Sequence, residues 1–273
     1  MATGTGGRPA TMRAVQYSGY GGGSAALKYV EIPVPSLKKG EVLIKVEAAS
    51  INPADCRIQK GLLRPFVPKF PFIPVTDVAG EIVEIGSAVQ EFKVGDKVVS
   101  KLIFWKAGGL AEYVAASESI TAPLPTGVSS ADAAGLPVAG LTALQAVKAI
   151  GTKFDGTGVG SNLELVADIG ADEALDYKTP EGAALKNSSG KKVVEVAPNF
   201  GNFVASILTL FSKKKLSTVT LSLGMEDLRF LLELVKERKL KTVIDSRHPF
   251  EKAADAWEKS LSGHATGKVI VEM

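Results

Sequence analysis

The chain has a single cysteine, Cys56, and two histidines, His248 and His264, in 273 residues. One cysteine cannot close an internal disulfide, and three Cys and His side chains cannot assemble a Cys/His zinc cluster. The scarcity fits a reducing compartment. Basic runs are also lacking: nothing exceeds Lys213-Lys214-Lys215, and the formal net charge is only +3. Nucleic-acid recognition through a basic stripe is therefore not expected. No apolar run approaches the roughly 20 residues of a membrane-spanning helix; the longest, Phe203 to Phe211, reads as core or interface. The first nine residues are rich in Gly and Thr, with no apolar segment of a secretory leader and one Arg, too few for an ordinary transit peptide.

What is present is an ordinary globular composition, 45% hydrophobic and 22% charged, in a chain long enough for one large domain or two smaller ones. Residues 12–30 read as two short strands around Gly19-Tyr-Gly-Gly-Gly23. No helix-forming segment follows these glycines, so a hairpin loop is expected rather than a phosphate cradle. Glu41 to Ala49 alternates as a half-buried strand, and Gly95-Asp96 and Gly108-Gly109 each introduce another. Short strands at close spacing predict a β-rich domain over residues 1–125. Beyond it Ser129 stands as an N-cap with Asp132 three residues on, and Leu141, Leu144, Val147 and Ile150 recur at helical spacing. Segments 162–170, 227–239 and 250–261 read as helices, and 173–177, 192–197, 216–223, 241–244 and 267–271 as strands, the mixture expected of an α/β sheet.

The most informative stretch runs from Ser50 to Gly86. Asn52, Asp55, Thr76 and Asp77 stand at the ends of its apolar segments, where loops on a rigid scaffold commonly carry a site. From residue type alone they are compatible with acid/base groups, metal ligands or turn formers. Gly156-Thr-Gly-Val-Gly160 is the only glycine cluster near a helix start, but a polar loop precedes it and its spacing is not that of a dinucleotide fingerprint. His248, before Pro249, and His264 read as exposed loop histidines, and no Ser/His/Asp arrangement is evident.

Several segments together resemble a known family. They are Met12-Arg-Ala-Val-Gln-Tyr17, Ser50-Ile-Asn-Pro-Ala-Asp55, Ile73-Pro-Val-Thr-Asp-Val-Ala-Gly-Glu-Ile-Val-Glu-Ile-Gly86 and Phe92-Lys-Val-Gly-Asp-Lys-Val98. Gly109-Leu-Ala-Glu-Tyr113, Leu136-Pro-Val-Ala-Gly-Leu-Thr-Ala-Leu144, Leu175 to Ala184 and Gly263-His-Ala-Thr-Gly-Lys-Val269 complete the set. The chain resembles the zinc-lacking quinone oxidoreductases of the medium-chain dehydrogenase/reductase superfamily, above all the plant chloroplast-envelope members. The resemblance implies an α/β fold in three parts: a GroES-like domain over 1–125, a Rossmann-type nucleotide-binding domain over 126–245, and a C-terminal helix and strand over 246–273 returning to the interface.

It also implies the chemistry. Zinc-dependent relatives carry ligands where this chain has Asn52 and Thr76, and near Val138, so no metal is expected. NADPH would deliver hydride to a quinone or an α,β-unsaturated carbonyl. Asn52, Thr76 and Asp77 fall at the catalytic positions. Asn52, Thr142, Gly158, Gly160, Tyr177, Lys178, Asn199, Phe200 and Gly201 fall along the cofactor, and Lys60 at the cleft mouth. A homodimer and a peripheral association with the chloroplast envelope accompany the resemblance; composition shows no anchor, and a cytoplasmic location is the alternative.

One departure stands out. Family members place a strand, a glycine-rich turn, a long helix and a second strand where this chain passes almost directly from Gly158-Val-Gly160 to Leu163. A second gap falls at Lys191-Lys192. The nucleotide domain is expected to be shortened by about one βαβ unit, with weaker cofactor binding. The alternative expectation is a non-catalytic protein acting through a partner or dimer surface.

Overall fold

The computed structural model describes residues 8–62, 64, 69–150 and 224–273, with four short strands at 158–159, 174–175, 192–195 and 215–218. The chain forms two compact units, residues 1–140 with 223–273, and residues 141–222.

The first unit is built on strands β1 (Thr11–Gln16), β2 (Lys28–Pro33), β3 (Glu41–Ile51), β4 (Asp77–Ile85), β5 (Lys97–Lys101), β6 (Tyr113–Ser117) and β7 (Thr121–Pro123). Two strands from the C-terminal region, which we label β12 (Ile244–Pro249) and β13 (Lys268–Glu272), join them. β1 and β2 pair antiparallel as a separate ribbon, with the glycine-rich loop between them as expected. The others form a seven-stranded sheet, six of them in the order β12-β13-β3-β4-β5-β7 and the seventh, β6, paired with β3.

β3 organises this sheet because it is eleven residues long. One part of it, Glu41–Lys45, pairs with β6; the other, Ala48–Ile51, pairs with β13; β4 runs along the opposite edge. The alternating sequence predicts one wet face, but the strand is buried on both for most of its length. Val42, Ile44, Val46, Ala49 and Ile51 enter the main core, whereas Leu43 meets Met12, Ala14 and Val34 in a second cluster. The β1–β2 ribbon thus contributes to covering the side that periodicity assigns to solvent.

The helices of this unit are short. α1 is Pro53–Gln59 and α2 is Ser130–Ala134, the latter capped by the Ser129 hydroxyl, which accepts from the Asp132 N–H at 3.1 Å. α3 (Pro137–Ile150) leads into the second unit, and α4 (Met225–Lys236) buries Leu228, Leu231 and Leu232. α5 (Ala253–Leu261), preceded by a 3₁₀ turn at Phe250–Lys252, supplies the crossover that the parallel pair β12–β13 requires. It buries Trp257 fully; the indole N–H donates to Gln59 Oε1 at 3.1 Å, and Gln59 Nε2 donates to the Gly23 carbonyl at 2.9 Å.

The strand expected at 241–244 lies further on, at Ile244–Pro249, so His248 is a strand residue rather than a loop one. An edge strand can be polar, as this one is, and can end in proline because its outer donors face no partner. In the second unit, strands β8 (Gly158–Val159) and β9 (Ala174–Leu175) pair parallel, as do β10 (Lys192–Glu195) and β11 (Lys215–Thr218). The helix expected at 162–170 lies outside the described residues.

Candidate active site

The site grows from the end of β3. Asn52 follows the last strand residue in extended conformation, and Pro53 opens α1 where a missing N–H costs nothing. The Asn52 N–H donates to Asp55 Oδ2 at 2.8 Å, one arm of a capping box. This leaves the Asn52 carboxamide for other partners. Its Nδ2 donates to Asp77 Oδ2 at 2.9 Å and, more weakly, to the Ser50 carbonyl at 3.3 Å. Its Oδ1 accepts from the Lys268 ammonium.

Asp77, the first residue of β4, collects the remaining donors. The N–H of Val138, the second residue of α3, reaches Asp77 Oδ2 at 3.0 Å, and Thr76 Oγ1 donates to Oδ1 at 3.4 Å. A carboxylate at a helix N-terminus meets unpaired N–H groups and the positive end of the helix dipole. Asp77 is completely buried, as is Thr76, and Asn52 is nearly so. Strand register extends the arrangement: Ile270, Ser50, Asp77 and Lys101 lie opposite one another across β13, β3, β4 and β5. Lys101 is buried with its ammonium 4.4 Å from the Phe104 ring centre.

Burial controls the titration of this cluster. It raises the Asp55 carboxyl to about 7; the Asn52 N–H opposes the rise, and Asp77 adds to it. Asp77 is raised for the same reason, held back by Lys268, the Val138 N–H and Asn52. Lys101 and Lys268 are both lowered by burial, while the two carboxylates pull them back toward the charged form. Two buried hydroxyls, Ser50 Oγ and Tyr17 Oη, have no hydrogen-bond partner among the described residues. Burial also pushes the Tyr17 phenol upward.

Three of the residues expected from sequence, Asn52, Thr76 and Asp77, thus share one network. Thr142 is half-buried on α3, and Gly158 lies on β8. Gly160, Tyr177, Lys178, Asn199, Phe200 and Gly201 lie outside the described residues. Lys60 caps the end of α1 and is exposed. Sequence reasoning missed Lys101 and Lys268. Strand parity places Lys101 opposite Asp77, but only once the β4–β5 register is known. Among the described residues, no group of three or more His, Cys, Asp and Glu could hold a metal ion.

Comparison with known proteins places the chain in a family. Residues 38–126 match the alcohol dehydrogenase GroES-like domain, and residues 183–271 match the zinc-binding dehydrogenase domain. The chain is 47% identical to a chloroplast envelope quinone oxidoreductase homolog of Arabidopsis thaliana, over 96% of this chain and 98% of that one. It is 33% identical to an NADPH-dependent alkenal/one oxidoreductase, chloroplastic, from the same plant, over 96% of this chain and 80% of the relative. The solved structure of the quinone oxidoreductase from Coxiella burnetii is similar with a TM-score of 0.84 and 25% identity, covering 96% of this chain and 99% of that one. The alignment to the first relative runs over 324 positions, whereas 96% of 273 residues is about 262, so about 60 positions carry no residue of this chain. With its GroES-like domain, its dehydrogenase domain and full-length likeness to plant quinone oxidoreductases, the chain belongs to the quinone oxidoreductase family of the medium-chain dehydrogenase/reductase superfamily and is an oxidoreductase.

Proposed function

We propose that the protein reduces quinones or α,β-unsaturated carbonyls with NADPH and without zinc. The observation that carries this reading is the convergence on Asp77. Thr76, Asn52 and Val138, the positions tied by resemblance to zinc ligation, each direct a donor at its carboxylate. The donors of Asn52, Thr76 and Val138 are spent on Asp77, which leaves the Asn52 oxygen and the Lys268 ammonium as the polar groups that suit a nicotinamide or a polar acceptor. Among the described residues no group of three or more His, Cys, Asp and Glu could hold a metal ion. NADPH, when bound, supplies the hydride. Without a Lewis acid, an acceptor that is already electron-poor is the substrate class that fits. Asn52, Thr76 and Asp77 would hold the reacting end, and Thr142 would lie along the cofactor.

The test is NADPH consumption by the purified protein over a panel of quinones and enones, with and without a zinc chelator. Turnover unaffected by the chelator is expected. No turnover and no NADPH binding at millimolar cofactor would overturn the reading. In that case the roughly 60 unmatched alignment positions favour a second one, in which the protein acts through a partner or dimer surface. A partner recovered with the protein, together with no NADPH oxidation, would distinguish it. The names of the relatives support a chloroplast location, and imaging of a tagged full-length chain checks it.

A further inference from the structure

Lys268 stands first in β13, and the register Val269↔Ile51 brings it beside Asn52 at the end of β3. Two glycines make its place. A Cβ on Gly267 would lie 2.4 Å from the Val243 carbonyl oxygen, so only glycine lets β13 begin there. A Cβ on Gly135 would come within 3.2 Å of the Lys268 Cγ and 2.5 Å of Thr242 Cγ2, so the bare backbone after α2 leaves room for the lysine stem.

We propose that Lys268 is a positioning residue that fixes the direction of the Asn52 carboxamide. The oxygen and nitrogen ends of an amide have nearly the same shape, so packing alone cannot tell them apart. Charge can. An ammonium only donates and a carboxylate only accepts, so Lys268 selects Oδ1 and Asp77 selects Nδ2. Reversal would set donor against donor and acceptor against acceptor. Asp77 is itself anchored by the Val138 N–H, so the direction of the amide is referred to the start of α3. Both Nδ2 hydrogens are engaged, on Asp77 and on the Ser50 carbonyl. Among the described residues, what remains for a ligand is one lone pair on Asn52 Oδ1 beside the other N–H groups of Lys268. A carboxamide or carbonyl of a bound molecule matches that combination.

This role in turnover rests on the proposed reductase activity, so the experiment has two independent arms. The first follows the Asn52 side-chain amide by ¹⁵N NMR, assigned through its loss in Asn52→Ala. The wild type should show a separated pair with slow solvent exchange. Lys268→Met should speed that exchange about tenfold or more, and Lys268→Arg should restore much of the protection. Unchanged exchange in Lys268→Met overturns the proposal, whatever the enzyme does. If that variant does not fold, Lys268→Gln, which keeps a donor but loses the charge, should speed exchange by a smaller factor, and exchange as in the wild type would overturn the claim that charge sets the direction. The second arm measures NADPH-dependent quinone reduction. Lys268→Met should lower kcat by about 10- to 100-fold, as loss of a residue that orients another group commonly does, with little change in KM for NADPH. The Asn52→Ala/Lys268→Met double variant should be no slower than Asn52→Ala alone. Independent, multiplying losses would overturn the claim that Lys268 acts through Asn52. A wild type without turnover counts against the reductase reading alone, and the first arm still decides the role of Lys268.

Discussion

At the scale of single residues, the site is a set of buried charges whose directions of titration can be followed. Asp55 is buried and its carboxyl is raised to about 7, mainly by desolvation, whereas in an unfolded chain it titrates near 3.9. Between those values the unfolded state binds fewer protons, so ionising Asp55 costs the folded state stability as pH rises, and the loss levels off above about 7. Asp77 shifts in the same direction. Asp55→Asn keeps an acceptor for the Asn52 N–H but has no charge to desolvate. Its denaturation midpoint should therefore fall less than that of the wild type between pH 4 and 7, with a difference on the order of 2–4 kcal/mol. Parallel curves for the two proteins would show that Asp55 is relieved of its burial cost. Asp77→Ala should act oppositely, because it takes the buried acceptor from one Nδ2 hydrogen of Asn52 and from the Val138 N–H. A loss of roughly 2–4 kcal/mol, read from urea unfolding, is expected when two donors lose one buried acceptor together.

Elements behave as their local chemistry demands, and this is where the sequence was most legible. Ser129 caps α2 as its spacing with Asp132 predicts; Ser129→Ala should cost about 1 kcal/mol in a thermal melt. β4 shows a more stringent requirement. Gly80 faces Val46 across the β3–β4 pair beside a register shift, and a Cβ there would sit 2.0 Å from the Lys45 carbonyl oxygen. Backbone cannot move aside as a side chain can. Gly80→Ala should therefore destabilise by roughly 3 kcal/mol or more, enough to lower soluble yield, and a variant melting like the wild type would contradict the close approach. The same Gly80 is visible in the motif Val78-Ala-Gly-Glu-Ile-Val-Glu-Ile85, but nothing in the motif says which strand presses on it. Asn52, Thr76 and Asp77 were legible as polar residues at strand ends. Lys268 was not, since its value comes from a strand 216 residues away in sequence. β12 was misplaced for a related reason: an edge strand carries no apolar alternation to announce it, and Arg247 and Glu272 hold it to β13 by an ion pair at 2.9 Å.

On the scale of the whole molecule, the first unit is discontinuous, combining residues 1–140 with 223–273. β13 inserts between β12 and β3, so the N-terminal strands form only part of their sheet until the last residues of the chain have arrived. Without them, Ala48–Ile51 of β3 would be an unpaired edge, Gln59 would lose the Trp257 indole, and Asn52 would lose Lys268. Trp257, Phe250, Val269 and Val271 also belong to the same core cluster as Val42, Ile44 and Val98. Sequence reading marks residues 1–125 as a β-rich domain because strand signals are local, whereas the pairing that closes this sheet spans most of the chain. A fragment of residues 1–125 should consequently fail to form the native site: it would expose an apolar edge and a core stripped of its C-terminal layer, the condition that favours aggregation. Adding residues 223–273 in trans should rescue it in part, because the missing contacts reside there. The comparison is made by amide dispersion in NMR spectra of the fragment alone and of the mixture. A well-dispersed spectrum from the fragment alone would show that the C-terminal strands decorate a finished domain. Dispersion appearing only on mixing would show that they complete it, and would make the Asn52–Lys268 contact a consequence of that completion.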